Sequence, residues 1–296
     1  MPLKVLIAPD KFKGTLTATA AAGAIAAGWR HARARDVLQL LPMSDGGDGF
    51  GDVVRALLHA EARTVKTLDA AHRSCEARWW WEPKSKTAII ESARVIGLAM
   101  LPAGRFHPFN LDTFGLGTVI SAARAEGAKR LLVGIGGSAT NDGGFGLARA
   151  LGWKFFDKGG KLIERWTRLN ALARIRPPRR RKFGKIVVAV DVQNRLLGPR
   201  GATRVYGPQK GLRSSDFALA ESCLRQLARV ARRPFGQDYA RLPGAGAAGG
   251  LGFGLMAFLG VRLEPGFALF ARHAKPSRCL RAADLEIGRA SCRERV

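Results

Sequence analysis

The sequence predicts an α/β fold: a parallel-sheet, Rossmann-like domain with a second, inserted α+β domain and a cleft between the two. Three observations carry this. Four short runs are rich in Val, Ile and Leu without polar alternation, as strands buried on both faces are. Amphipathic helical stretches lie between or after them, and strand–helix alternation implies parallel pairing through right-handed crossovers. Each run leads to Asp or Gly, where ligands of such sheets bind, beyond the carboxyl ends of the strands.

In chain order, residues 3–8 form the first strand and lead to Asp10; a helix follows over 17–29. Residues 37–43 lead to Asp45, with a helix over 50–60. Residues 64–91 alternate better than they periodise helically and contain Trp79-Trp80-Trp81 and Ala88-Ile89-Ile90-Glu91, which reads as an antiparallel insertion. A helix over 118–126, a strand over 131–135, a helix over 145–151 and a strand over 186–190 ending at Asp191 restore the α/β pattern. Residues 205–263 mix a helix over 216–232 with a glycine-rich stretch over 243–254. The expected division assigns 1–60, 115–195 and 266–285 to the Rossmann-like domain and 61–114 plus 196–265 to the inserted one. Residues 286–296 lack apolar periodicity and read, codon for codon, as an in-frame translation of a common DNA-sequencing adapter. They are expected to be a non-native tail and are set aside, the natural chain being expected to continue past Leu285.

With 296 residues, 47% hydrophobic and 24% charged, the chain has ample material for a core, and its 36 glycines are interspersed with apolar positions throughout. The N-terminal apolar run is too short for a signal peptide, and residues 245–261 are too short and glycine-rich for a membrane span, so a cytoplasmic protein without membrane partners is expected. Cys75, Cys223, Cys279 and Cys292 include no CxxC pair, which indicates neither a zinc site nor a disulfide framework. A net charge of +26 raises nucleic-acid binding. Against it, the arginines are dispersed, and the main cluster, residues 174–182, is interrupted by proline and lacks aromatic platforms. The charge reads better as an aid to attracting anionic substrates.

Several motifs suit phosphate chemistry. Asp10-Lys11-Phe12-Lys13-Gly14-Thr15 follows the first strand and fits an anion or metal–phosphate site at a helix start, although a surface turn capped by Thr15 reads equally well. Ser44-Asp45-Gly46-Gly47-Asp48-Gly49 sets two carboxylates among glycines, able to hold Mg2+ through few oxygens; no EF-hand glutamate follows, and a tight turn is the plainer reading. Residues 134–144, Gly134-Ile135-Gly136-Gly137-Ser138-Ala139-Thr140-Asn141-Asp142-Gly143-Gly144, leave a strand and enter a helix, and can wrap phosphates with backbone N–H groups. They match neither a Walker A loop nor the full dinucleotide fingerprint. Asp191-Val192-Gln193-Asn194 offers a carboxylate able to orient or deprotonate a hydroxyl, or an Asx-turn. Lys210, between Gly207 and Gly211, can meet a phosphate or carboxylate.

In this order, these segments resemble the bacterial glycerate kinase family, the class that phosphorylates D-glycerate at O2. The match runs from Leu3 to about Leu285 and adds Leu197-Gly198-Pro199-Arg200-Gly201-Ala202, Tyr206-Gly207-Pro208-Gln209-Lys210-Gly211 and the glycine-rich residues 243–252. The resemblance implies transfer of the ATP γ-phosphoryl to a small hydroxy acid with Mg2+, in an interdomain cleft; apart from the resemblance, a monomer or homodimer is expected. Carried onto this sequence, Gly136, Gly137, Ser138, Thr140, Asn141, Asp142 and Gly143 would cradle the nucleotide phosphates. Lys13 would offset phosphoryl charge and Asp191 would accept the hydroxyl proton, with Asp10 alongside. Asp45 and Asp48 would position metal or substrate, and Lys210 and Arg200 would bind the glycerate carboxylate. Lys11 stands where the family often has Ser, a change expected to be tolerated, and Arg195 stands where it usually has Pro. The family's Thr-Gly-Glu-Gly motif would begin just after Leu285, where the adapter-like tail stands; the chain is therefore expected to be poorly stable, inactive, or both. Two other readings are an NAD-dependent dehydrogenase using the Gly134 loop and a basic nucleic-acid-binding protein using residues 174–182.

Overall fold

The structure, a computed structural model, describes residues 1–12, 15–179 and 184–288. The chain runs β1 (Lys4–Ala8), α1 (Ala18–Ala32), β2 (Val37–Leu40), α2 (Phe50–Leu58), β3 (Glu61–Leu68), β4 (Ser74–Glu82), β5 (Thr87–Glu91), α3 (Ala93–Ile96), α4 (Phe114–Ala125), β6 (Arg130–Gly134) and α5 (Phe145–Ala150). It continues through β7 (Lys154–Asp157), β8 (Leu172–Arg176), β9 (Lys185–Val190), α6 (Ala202–Lys210), α7 (Phe217–Phe235), α8 (Ala247–Leu259), β10 (Arg262–Pro265), α9 (Gly266–Ala274), α10 (Pro276–Arg281) and β11 (Leu285–Gly288). The expected α/β class holds.

Two sheets organise the site. The larger has the order β10-β9-β6-β5-β4-β3, and the smaller is β11-β1-β2. In the larger, β10, β9, β6 and β5 are parallel, and the β3–β4–β5 meander adds two antiparallel strands at one side. Alternation sorts the side chains onto two faces. Trp79, Trp81, Ile90, Val133 and Val188 join one core with residues of α4, α5, α7 and α8. Trp80, Ile89, Leu132, Val187 and Ala189 join the other with Phe50 and Val54 of α2 and Leu269 of α9. The opposite sides of α2 and α9, through Val53 and Phe270, meet Leu6 and Ala8 of the smaller sheet, whose far face packs Val5 and Ile7 on Ala22 and Ala26 of α1. The two helices are thus sandwiched between the sheets.

Four expectations change. The strand pairing cuts across the expected division: β5 and β10, assigned to the inserted domain, lie parallel to β6 and β9 in one sheet. The reason is the run Ala88-Ile89-Ile90, which is buried on both faces and requires a central position. The second strand is not doubly buried; β2 is an edge strand, largely exposed. The cap of α1 is Thr17, which accepts from the Ala20 N–H at 3.1 Å, whereas the Thr15 hydroxyl donates to the Phe12 carbonyl. Residues 286–288, set aside as tail, pair with β1 in β11, because strand addition needs only backbone groups from the incoming segment. Residues 289–296 lie outside the described residues.

Candidate active site

The strand ends converge as the sequence leads one to expect. Past β1, Asp10 is half-buried and accepts from the Lys11 N–H at 2.7 Å. The Lys11 ammonium reaches Asp45 at 2.6 Å, a contact in which both side chains are mostly shielded. Lys13, the lysine assigned to the phosphoryl group, lies outside the described residues. Among the described residues, Lys11 lies beside the acidic loop. Sequence reading treated it as a tolerated substitution; its position one residue past Asp10 was the available signal.

The 45–49 loop is folded tightly. The Asp45 carboxylate accepts from the Gly47 N–H at 2.9 Å, forming an Asx-turn. Its neighbours come close on several sides. A Cβ on Gly266 would lie 1.6 Å from the Asp45 carbonyl oxygen, and one on Gly46, at φ +94°, 2.7 Å from Ala189 of β9. Against the glycine loop, a Cβ on Gly136 would lie 2.5 Å from the Gly47 Cα, and one on Gly137 would lie 2.1 Å from a carboxylate oxygen of Asp48. Half-buried Gly136, exposed Gly137 and the exposed Asp48 carboxylate thus lie side by side.

The rest of the glycine loop turns inward. Ser138, Thr140, Asn141 and Asp142 are buried. The Asp142 carboxylate accepts from the Thr113 N–H (3.0 Å) and hydroxyl (2.7 Å) and from the N–H groups of Gly144 (3.2 Å) and Gly146 (2.9 Å). Burial, and then the nearby Asp112 charge, push its carboxyl up to about 6. Its role is internal bracing, not exposure to a nucleotide. The segment also presses on α8, where a Cβ on Gly249 (φ +69°) would lie 1.9 Å from the Thr140 carbonyl oxygen. Asn141 donates to the Thr203 hydroxyl at 3.1 Å, while Asn141 Oδ1 and the Thr140 hydroxyl are buried without a hydrogen-bond partner among the described residues.

Lys210 is likewise relocated. Its side chain is buried in α6, and its Nζ donates to the Thr140 carbonyl at 2.6 Å and the Ser138 hydroxyl at 3.1 Å. Burial lowers its pKa to about 7 despite the opposing pull of Asp142. It latches the glycine loop through the Thr140 carbonyl and the Ser138 hydroxyl. Asp191 is exposed one residue beyond β9. Burial, with the Asp191 charge adding, raises the Tyr206 phenol above its ordinary value, and Tyr206 donates to Asn194 at 2.7 Å. Asn194 in turn donates to the Arg200 carbonyl at 2.7 Å, which fixes that turn while the Arg200 side chain stays exposed.

For a divalent cation, no group of three His, Cys, Asp or Glu side chains able to hold a metal occurs among the described residues. Mg2+ carried with nucleotide phosphates needs only one or two protein carboxylates. Asp48, exposed beside Gly137, suits that donor set; Asp45 has an oxygen engaged by Lys11.

These loops belong to a known arrangement. The model of the glycerate kinase family matches residues 5–288. A glycerate kinase of Halalkalibacterium halodurans is 38% identical over 288 residues, covering 96% of this chain and 76% of its own length. The chain belongs to the glycerate kinase family. A glycerate 2-kinase of Escherichia coli is 36% identical over 271 residues, covering 90% of this chain and 71% of that protein. A crystal structure from Salmonella typhimurium, assigned as glycerate kinase 2, superposes with a TM-score of 0.86 at 33% identity, covering 97% of this chain and 78% of that one. Family membership leaves the dehydrogenase and nucleic-acid readings without support. No helix among the described residues is long and apolar enough to cross a membrane.

Proposed function

We propose that this chain is a cytoplasmic, ATP- and Mg2+-dependent glycerate kinase that transfers the γ-phosphoryl to the 2-hydroxyl of D-glycerate. The observation that carries the reading is the packing of Gly136 and Gly137 against Gly47 and Asp48, in a chain of this family. The amides of half-buried Gly136 and exposed Gly137 would receive phosphate oxygens, and exposed Asp48 would hold the metal that accompanies them. When bound, Mg2+ would neutralise charge developing on the transferred group. Lys11 sets a fixed ammonium at the edge of the acidic loop. Asp191, exposed at a strand end, would take the proton of the substrate hydroxyl, and exposed Arg200 would pair with its carboxylate. Asp142 and Lys210 support the loop and would not touch substrate.

The test is ATP-dependent phosphorylation of D-glycerate, with the product position read by phosphorus NMR. Because this chain spans 76% and 71% of two curated relatives, it is assayed alone and extended by the C-terminal segment of one of them. Formation of 2-phosphoglycerate, lowered about 100-fold or more in D191N, is expected. Folded proteins that neither bind ATP nor turn over glycerate would overturn the reading.

A further inference from the structure

The last residue of β5, Glu91, is a buried carboxylate that no motif singled out. One of its oxygens accepts from the Gly49 N–H at 2.9 Å and the other from the Gly51 N–H at 2.9 Å. These are the amides of the turn directly after Asp48, where the chain enters α2. An anionic acceptor at the positive end of a helix makes strong, charge-assisted bonds. The contact leaves no slack. A Cβ on Gly51 would lie 1.9 Å from the Trp80 ring and 2.9 Å from the Glu91 carboxylate. Arg94 steadies the acid: its Nε lies 3.4 Å from the second oxygen, its Nη2 bonds Asp52, and its guanidinium stacks 5.2 Å above the Trp80 ring.

The same segment grips the other loop through its backbone. Glu91 stands opposite Gly134 in the β5–β6 pairing. Beyond it, the Ser92 N–H donates to the Gly134 carbonyl (2.9 Å), the Leu98 N–H donates to the Gly137 carbonyl (2.9 Å), and the Ile96 carbonyl accepts from the Ala139 N–H (2.8 Å). Residues 91–98 thus hold the glycine loop by main chain and the acidic loop by one side chain. Those two loops meet face to face at Gly47 and Gly136.

We propose that Glu91 is a positioning residue that locks the acidic loop in register with the glycine loop, so that Asp48 and the amides of Gly136 and Gly137 present one phosphate-binding surface. The consequence for nucleotide rests on the kinase reading; the mechanical coupling does not. In E91Q, an amide nitrogen replaces one acceptor and faces a backbone N–H, so one of the two bonds is lost and the charge with it.

Hydrogen–deuterium exchange of the wild-type chain and E91Q tests the coupling, alongside equilibrium titration with an ATP analogue. V230A, a truncation in the buried face of α7, serves as a general destabilisation control. E91Q is expected to raise exchange by about tenfold in peptides covering both 45–54 and 134–139, and to weaken nucleotide binding by about tenfold. V230A, compared at equal loss of Tm, is expected to change neither. A rise confined to 45–54, no rise at all, or an equal rise in V230A would overturn the proposal. If E91Q is not recovered folded, R94M takes its place, with the same paired rise expected and the same outcomes against it. A wild-type chain that binds no nucleotide would count against the kinase reading and leave the exchange result to decide the coupling.

Discussion

Residues 45–49 and residues 140–144 are similar in composition, both mixing aspartate with glycine beyond a strand, yet the structure uses them in opposite ways. In the first, glycines let the loop lie against Ala189 and Gly136 while Asp48 stays exposed. In the second, glycines let α8 approach the loop, and the Asp142 carboxylate is consumed by four donors of its own surroundings. An Asp/Gly loop therefore signals close approach of backbone, and whether a ligand or another part of the chain makes that approach is decided by packing.

Substitutions of the two aspartates would break this contrast if their effects were alike. Asp142→Ala is expected to have the largest effect on stability, about 3–5 kcal/mol, since it strips partners from several buried donors. Urea unfolding checks it, and near-wild-type stability combined with lost nucleotide binding would reverse the assignment. Lys210 sharpens the comparison through pH. The folded chain releases this proton near pH 7, whereas the unfolded chain keeps it to the ordinary value of 10.5. Between those values the unfolded state binds more protons, so this contribution to stability rises with pH. The wild-type unfolding free energy minus that of K210M is expected to climb by up to about 1.4 kcal/mol per pH unit above pH 7. A flat difference would show that the ammonium stays charged in the fold. Asp48→Asn should move stability least, by less than about 0.5 kcal/mol, because its carboxylate is exposed. Its kcat/KM for nucleotide should nevertheless fall by about tenfold or more, as expected for a metal-holding oxygen. A stability loss as large as that of D142A would erase the distinction between the loops.

Much of this was legible before the structure. Residues 186–190 and 131–135 read as buried strands because unbroken Val, Ile and Leu allow little else, and β9 and β6 lie where those runs are. The helix expected over 216–232 is α7, and its Ala220, Cys223, Leu224, Leu227 and Ala231 share one buried face. Glu91 was not legible. A glutamate ending a strand carries no local mark of the amides it will meet, and those amides lie about forty residues earlier in the chain. Lys210 misled for a related reason: glycines on either side suggested an open loop, while its helix turns the ammonium inward onto the Thr140 carbonyl.

By itself the sequence determined the α/β class, the strand ends at which the Asp and Gly motifs stand, and the family to which they point. These follow from short-range rules, since apolar runs specify buried strands and glycine specifies tight backbone. Only the tertiary structure decided that β5 and β10 join the central sheet, that Lys11 meets Asp45, and that half of the glycine loop is interior. Those outcomes depend on contacts between residues far apart in the chain. Burial of a charge or an amide is tolerated only where such a contact supplies its partner.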